Sequence, residues 1–182
     1  MAKKLTIKDM IYSALFATIT AILGYVIIPL PFSPIPITAQ SLAVMLAGSI
    51  LTPLQAALSM ITFLFMGIIG IPVFSGGRAG IGIIVGKSGG YLIGFLVGAI
   101  VISLLIRRNK SFVNMLIGCF IGGVVVVHLL GSAWLGYVTA MGIKKAFLSG
   151  SAPFIVGDLL KAVVAVLIGS RLNRRMRKSG IQ

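Results

Sequence analysis

Residues 76–95 read GGRAGIGIIVGKSGGYLIGF. Inside this stretch Gly86-Lys87-Ser88 has the ending of a phosphate-binding loop, and that reading would make the chain a soluble α/β nucleotide-binding protein. The spacing rules it out. A Walker A loop needs a glycine five residues before the one that precedes its lysine. That position is Ile81, and Gly80 and Gly82 fall one step to either side of it. The remaining question is why Arg78 and Lys87 stand among glycines between two apolar segments.

Composition sets the fold class. The 182 residues are 58% hydrophobic and 10% charged, with a mean hydropathy of +1.14. Soluble domains carry about 25% charged residues, so this chain has too little polar surface to cover an exterior in water. It reads as an integral membrane protein. In lipid every backbone polar group must be satisfied internally, which leaves helices or a closed barrel. Barrel strands alternate apolar and polar residues, whereas the apolar runs here are continuous. The expected class is therefore an all-α integral membrane protein, a compact bundle of six transmembrane helices.

Single-domain organisation over 1–182 is expected, with spans at about 10–28, 38–51, 53–70, 88–106, 112–138 and 153–170. The start, with Lys3, Lys4 and Lys8 before an apolar run, has the look of a signal peptide. The run is long enough to span, and no clear small-residue cleavage site follows it. Prolines 29, 31, 34 and 36 dictate an extended loop after the first helix. The second run is short for a span of about 20 residues; it is tilted, buried or partly re-entrant. Thr52-Pro53 breaks the chain, and Pro53 suits the first turn of the next helix. Basic clusters lie at the N-terminus, at Arg107-Arg108-Asn109-Lys110 and from Arg171 to Lys178. With six helices all three fall on one side, which the positive-inside rule makes cytoplasmic, with both termini there. The loops 29–37, 71–87 and 139–152 then lie outside. A multi-pass membrane protein is expected.

The net charge is +14, with only Asp9 and Asp158 as acids. In a soluble protein such charge would suggest nucleic acid. Here the charges sit at the ends of apolar segments, no polar domain is available to bind nucleic acid, and membrane lipid headgroups are the expected partners. Lys144 and Lys145 read as headgroup-facing. The single cysteine, Cys119, lies in an apolar run and supports neither an intrachain disulfide nor a cysteine metal site.

Asp158 and Lys161 carry the strongest signal. They stand in the apolar run FIVGDLLKAVV, and a separation of three residues puts both on one helical face. Pairing explains how such charges are tolerated in a membrane helix but not why they exist, because an apolar pair would cost less. Asp158 lies about one turn into its helix, at the depth of the outer loops, where it can accept hydrogen bonds from a ligand's N–H groups. Lys161 offers donors and positive charge. Arg78 and Lys87 are candidates to hold a carboxylate arriving from outside. Gly77 and its neighbours permit close approach, and Tyr91 adds a ring and a hydroxyl. The competing reading of 76–87 is a flexible re-entrant loop with snorkelling bases. His128 is expected as a hydrogen-bonded interior residue, with no acid foreseen beside it, and Trp134 as an interfacial anchor. Ala14, Ala17 and Ala21 in ALFATITA serve either internal packing or docking of another membrane subunit. No nucleophile–base set, metal cluster or cofactor motif is present, so the chain does not read as an enzyme.

Four segments together resemble the BioY family, the biotin-binding S components of energy-coupling-factor (ECF) vitamin transporters. They are IPLPFSPIPITAQSLAVMLAG (28–48), GIIGIPVFSGGRAGIG (67–82), GKSGGYLIGF (86–95) and PFIVGDLLKA (153–162). The resemblance implies a six-helix bundle that binds biotin, as transported substrate, from outside. It implies a partner transmembrane T subunit and two ATPases, with the first helix as docking surface and Ala17 and Ala21 in the alanine pattern. It also implies that Asp158 and Lys161 contact ligand. Where the family pattern reads Gly-Pro-Thr-Gly-Gly, this chain has Gly86-Lys87-Ser88-Gly89-Gly90. Lys87 is then either an added carboxylate contact or a substitution at a rim. Two other readings stand beside this one. One is a stand-alone ion- or proton-coupled secondary transporter of a small anionic solute, working through Asp158 or His128. The other is a small membrane enzyme. The sequence leaves the oligomeric state open, a homo-oligomer included.

Overall fold

The computed structural model describes residues 5–178, the side chain of Arg177 apart; Lys3 and Lys4 lie outside the described residues. Helix α1 (Ile7–Leu23) is followed by a two-residue strand, β1 (Ile27–Ile28), that pairs antiparallel with β2 (Ile37–Thr38). The first helix therefore ends five residues before the expected boundary at 28. The prolines do not leave the loop wholly extended: they sit in a hairpin whose short strands bracket the turn. Next come α2 (Gln40–Ile50) and α3 (Pro53–Ile68). The glycine-rich segment contains a one-turn helix, α4 (Ile81–Val85), and leads into α5 (Gly89–Ile106). A single rod, Phe112–Val138, is made of α6 (Phe112–Gly118), a π-helical stretch (Cys119–Val126) and α7 (Val127–Val138). The loop expected at 139–152 contains α8 (Ile143–Gly150), which carries Lys144 and Lys145. The last helix, α9 (Ala152–Lys178), takes in the basic stretch expected as a tail.

Among the described residues three helices are long and apolar enough to cross a membrane: α5, the Phe112–Val138 rod and α9 over Ala152–Met176. Burial runs opposite to a water-soluble helix. On α9, Val156, Leu160, Val163 and Leu167 are exposed while Asp158, Ala162, Ala165 and Val166 are buried. A helix that turns its charge inward and its apolar side chains outward suits a hydrocarbon solvent.

The short second run is resolved as a central helix. Most of α2 is buried, and it packs against α9 and α5. It is short because both ends are met inside the bundle. At its start Gln40 Nε2 donates to Val73 O (3.1 Å). At its end Lys110 Nζ donates to Ile50 O (3.1 Å) and Asn173 Nδ2 to Ser49 O (3.0 Å), which satisfies carbonyls a helix C-terminus leaves open. Burial holds the Lys110 ammonium below its usual range. Two capping boxes, Thr6–Asp9 on α1 and Thr52–Gln55 on α3, start neighbouring helices, and Gln55 Nε2 donates to Asp9 Oδ1 (2.7 Å) across them. The second acid of the chain is thus a helix cap.

Glycines set the spacing around the π-helical stretch. A Cβ on Gly98 would stand 2.5 Å from Gly122 O, and one on Gly122 would stand 2.6 Å from Gly98 O. With Gly94 against the Val127 backbone, this makes a close seam between α5 and the following rod, of the small-residue kind that membrane helices use. The seam fixes where Tyr91 on α5 and His128 on α7 stand.

Candidate ligand-binding site

A cavity lies where α2, α5, α7 and α9 meet under the three loops expected on one side. Its lining includes Pro36 and Thr38 from the hairpin, Ser75 and Ser88 from the glycine-rich region and Gly150 from α8. The helices contribute Ser41, Tyr91, His128, Phe154, Asp158 and Lys161.

Asp158 is the hub. It is 4% exposed. Its Oδ1 accepts from Lys161 Nζ (2.8 Å), one turn along α9, and from Ser41 Oγ (2.8 Å) on α2. Its Oδ2 lies 2.9 Å from His128 Nε2 on α7. Lys161 Nζ also donates to Thr38 O (2.7 Å) and to Ser41 Oγ (3.0 Å), so the three ammonium protons have three acceptors. One carboxylate and one ammonium, each hydrogen-bonded, make a cluster without net charge, which is how both remain inside apolar helices. Tyr91 is held by its hydroxyl, which donates to Gly150 O (2.6 Å). Its ring stands edge-on to His128 at a centroid distance of 6.2 Å, and Phe154 stacks on the imidazole at 6.4 Å.

Asp158, Lys161 and Tyr91 therefore come together at one cavity. Lys87, Arg78 and Gly77 do not line it. Lys87 is exposed just past α4. Arg78 is exposed too; its Nε donates to Ser75 O (2.9 Å), and it lines an adjoining groove that shares Pro36 and Ser75 with the cavity. Gly77 has φ +73° and faces the Tyr25 ring, where a Cβ would stand 3.0 Å away. It is glycine because the turn is left-handed and tight.

The alanine stripe also divides. Ala17 is fully buried and Ala21 is 8% exposed; both pack inside the bundle and have no free face for a second subunit. Ala14 is exposed, and Thr18 is exposed four residues on. Trp134 is half-buried, and its Nε1 donates to Gly86 O (2.9 Å). It fastens the glycine-rich loop to α7.

Two residues escaped sequence reasoning. His128 was visible as the one intramembrane histidine, but its acid lies 30 residues away and only helix packing joins them. Ser41 is separated from Asp158 by 117 residues and carries no motif of its own.

The BioY family model matches residues 1–178. The biotin transporter BioY of Rhizobium etli is 41% identical over 171 residues, covering 89% of this chain and 91% of its own. The biotin transporter BioY of Lactococcus lactis subsp. cremoris is 34% identical over 186 residues, covering 99% and 96%. A crystal structure of the S-component for biotin from an ECF-type ABC transporter is similar at a TM-score of 0.87 and 32% identity, covering 94% of this chain and 95% of that one.

Proposed function

The chain belongs to the BioY family, a family of transporters rather than enzymes, and from that membership we propose that it is an S component that captures biotin at the outer face of the membrane. The observation that carries this reading is the buried, charge-neutral cluster of Asp158, Lys161, His128 and Ser41 at one cavity beneath three loops. Biotin has a ureido ring with two N–H donors and a carbonyl, an apolar thioether body and a carboxylate tail. The carboxylate of Asp158 suits a ureido N–H, and Lys161 suits the ureido oxygen. Tyr91 and Phe154 pack the ring body, and Arg78 meets the tail in the outer groove. Lys87 is a rim residue that adds charge near the mouth.

The bundle crosses the membrane six times, as α1, α2, α3, α5, the Phe112–Val138 rod and α9, with both termini cytoplasmic in the bacterial cell membrane. In support, residues of all three expected outer loops meet at the cavity, while Asp9, Gln55, Lys110 and Asn173 lie near the opposite helix ends. Release inward is driven by a T subunit and two ATPases. The T subunit docks on the exposed face of α1, with Ala14 and Thr18 as its small-residue pair in place of Ala17 and Ala21. An A14L variant is therefore expected to keep biotin binding and lose most partner-dependent uptake.

Calorimetry on the purified chain tests the central reading. Saturable one-to-one heat with biotin, and none with other vitamins, is expected; silence with biotin removes the proposal. The His128–Asp158 contact keeps a second reading in view, a stand-alone proton-coupled transporter. Uptake into proteoliposomes that follows a pH gradient without ATP or partners favours that second reading.

A further inference from the structure

Among the described residues, three buried side-chain polar atoms have no hydrogen-bond partner: Ser59 Oγ, Ser75 Oγ and His128 Nδ1. Buried polar atoms are almost always paired, and each exception calls for a reason. Two of these three residues, Ser75 and His128, line the cavity.

The surroundings of His128 fix its tautomer. The Asp158 carboxylate is matched in charge by Lys161 at 2.8 Å. A second buried cation on the ring would leave an uncompensated charge, so the ring is neutral. An ionised carboxylate only accepts, so Nε2, 2.9 Å from Oδ2, carries the proton and donates it. Nδ1 is then a bare acceptor. The neighbours do not serve it. Phe154 stacks on the ring, and the Tyr91 hydroxyl is held at Gly150 O.

We propose that His128 is a specificity-determining residue whose Nδ1 accepts a hydrogen bond from one ureido N–H of bound biotin. The inference rests on the reading of the cavity as the biotin site and goes beyond it. In that reading Asp158 answers one of the two N–H groups and the other has no acceptor. With His128 the site has a separate acceptor for each, and it selects cyclic ureas over rings in which one N–H is missing. Asp158 then acts twice, as a ligand contact and as the group that holds the imidazole with its acceptor nitrogen free.

Two measurements test this on the full chain. The first pairs protein and ligand changes: wild type and H128F, each titrated with biotin and with the two analogues in which one or the other ureido N–H is replaced by CH2. Phenylalanine preserves a flat ring between Tyr91 and Phe154 without Nδ1. Wild type is expected to bind both analogues more weakly than biotin, because each leaves one acceptor unpaired. For one of them, the analogue discriminated through His128, the weakening of about ten- to a hundredfold should shrink to about threefold or less in H128F. Equal weakening of all three ligands in H128F means that His128 acts only by packing and by supporting Asp158, and overturns the proposal. The second measurement needs no variant. His128 is the only histidine of the chain, so 15N-histidine labelling gives one imidazole to follow. Biotin is expected to move the Nδ1 resonance in the direction of a hydrogen-bonded acceptor, and the discriminated analogue to leave it in place. Calorimetric binding of biotin with an unmoved Nδ1 resonance defeats this inference and leaves the biotin reading standing. A wild-type chain that binds no biotin defeats both.

Discussion

Replacing Asp158 with alanine is expected to weaken biotin binding by at least about a hundredfold, because hydrogen bonds to a charged group contribute about 1.5–3 kcal/mol each and the ligand loses its acceptor together with the arrangement around it. The same change should destabilise the bundle. Asp158 receives Lys161, Ser41 and His128, and its removal leaves Lys161 as an unmatched ammonium whose side chain is only 21% exposed. Breaking a buried pair from one side costs roughly 3–5 kcal/mol. The double variant D158A/K161M removes both charges and keeps the length of the lysine stem. It should recover much of the lost stability and none of the binding. Thermal unfolding and calorimetry on the three proteins separate these effects. If the double variant binds biotin normally, the charged pair is a packing device and not a ligand contact.

The second large effect concerns the seam that places the site. Gly98→Val is expected to destabilise the protein by about 3 kcal/mol or more and to cut biotin binding, although residue 98 is not among the cavity's lining residues. The obstacle is backbone: the new Cβ would stand 2.5 Å from Gly122 O. A side chain could turn away, but a carbonyl inside the rod cannot, so α5 and the rod must separate. Tyr91 on α5 and His128 on α7 then move apart, and the cavity loses two of its walls. Gly157→Ala is the control. It lies beside Asp158 in sequence, yet a Cβ there meets no atom within 4 Å. It should leave folding and binding near wild type. Equal damage from the two substitutions would contradict a packing seam.

How much of this was legible beforehand depends on how local each signal is. The membrane class followed from hydropathy, since a bundle in lipid needs a chain this apolar. The Asp158–Lys161 pair could be read because three residues on a helix make one face, and the two atoms do meet at 2.8 Å. Thr52-Pro53 marked the start of α3 for an equally local reason, proline in the first turn, and the structure adds the capping box with Gln55. His128 and Ser41 were not legible as partners of Asp158, because nothing within one helix joins them. The basic residues misled in the other direction. Glycines around Arg78 and Lys87 suggested pocket walls, but Gly77 serves a left-handed turn beside Tyr25, and neither base lines the cavity. The alanines of α1 left two alternatives open, and Ala17 and Ala21, which have the small-residue spacing, turn it inward as internal packing. The π-helical stretch Cys119–Val126 left no trace in the hydropathy, which is uniformly apolar there.

The account turns on one placement, which an experimental structure of the chain with biotin bound measures directly. The ureido ring is expected within hydrogen-bonding distance of Asp158 and in contact with Tyr91 and Phe154, with the carboxylate tail directed toward Arg78. Biotin found outside this cavity, with the Asp158–Lys161–His128 cluster still closed on itself, would contradict it.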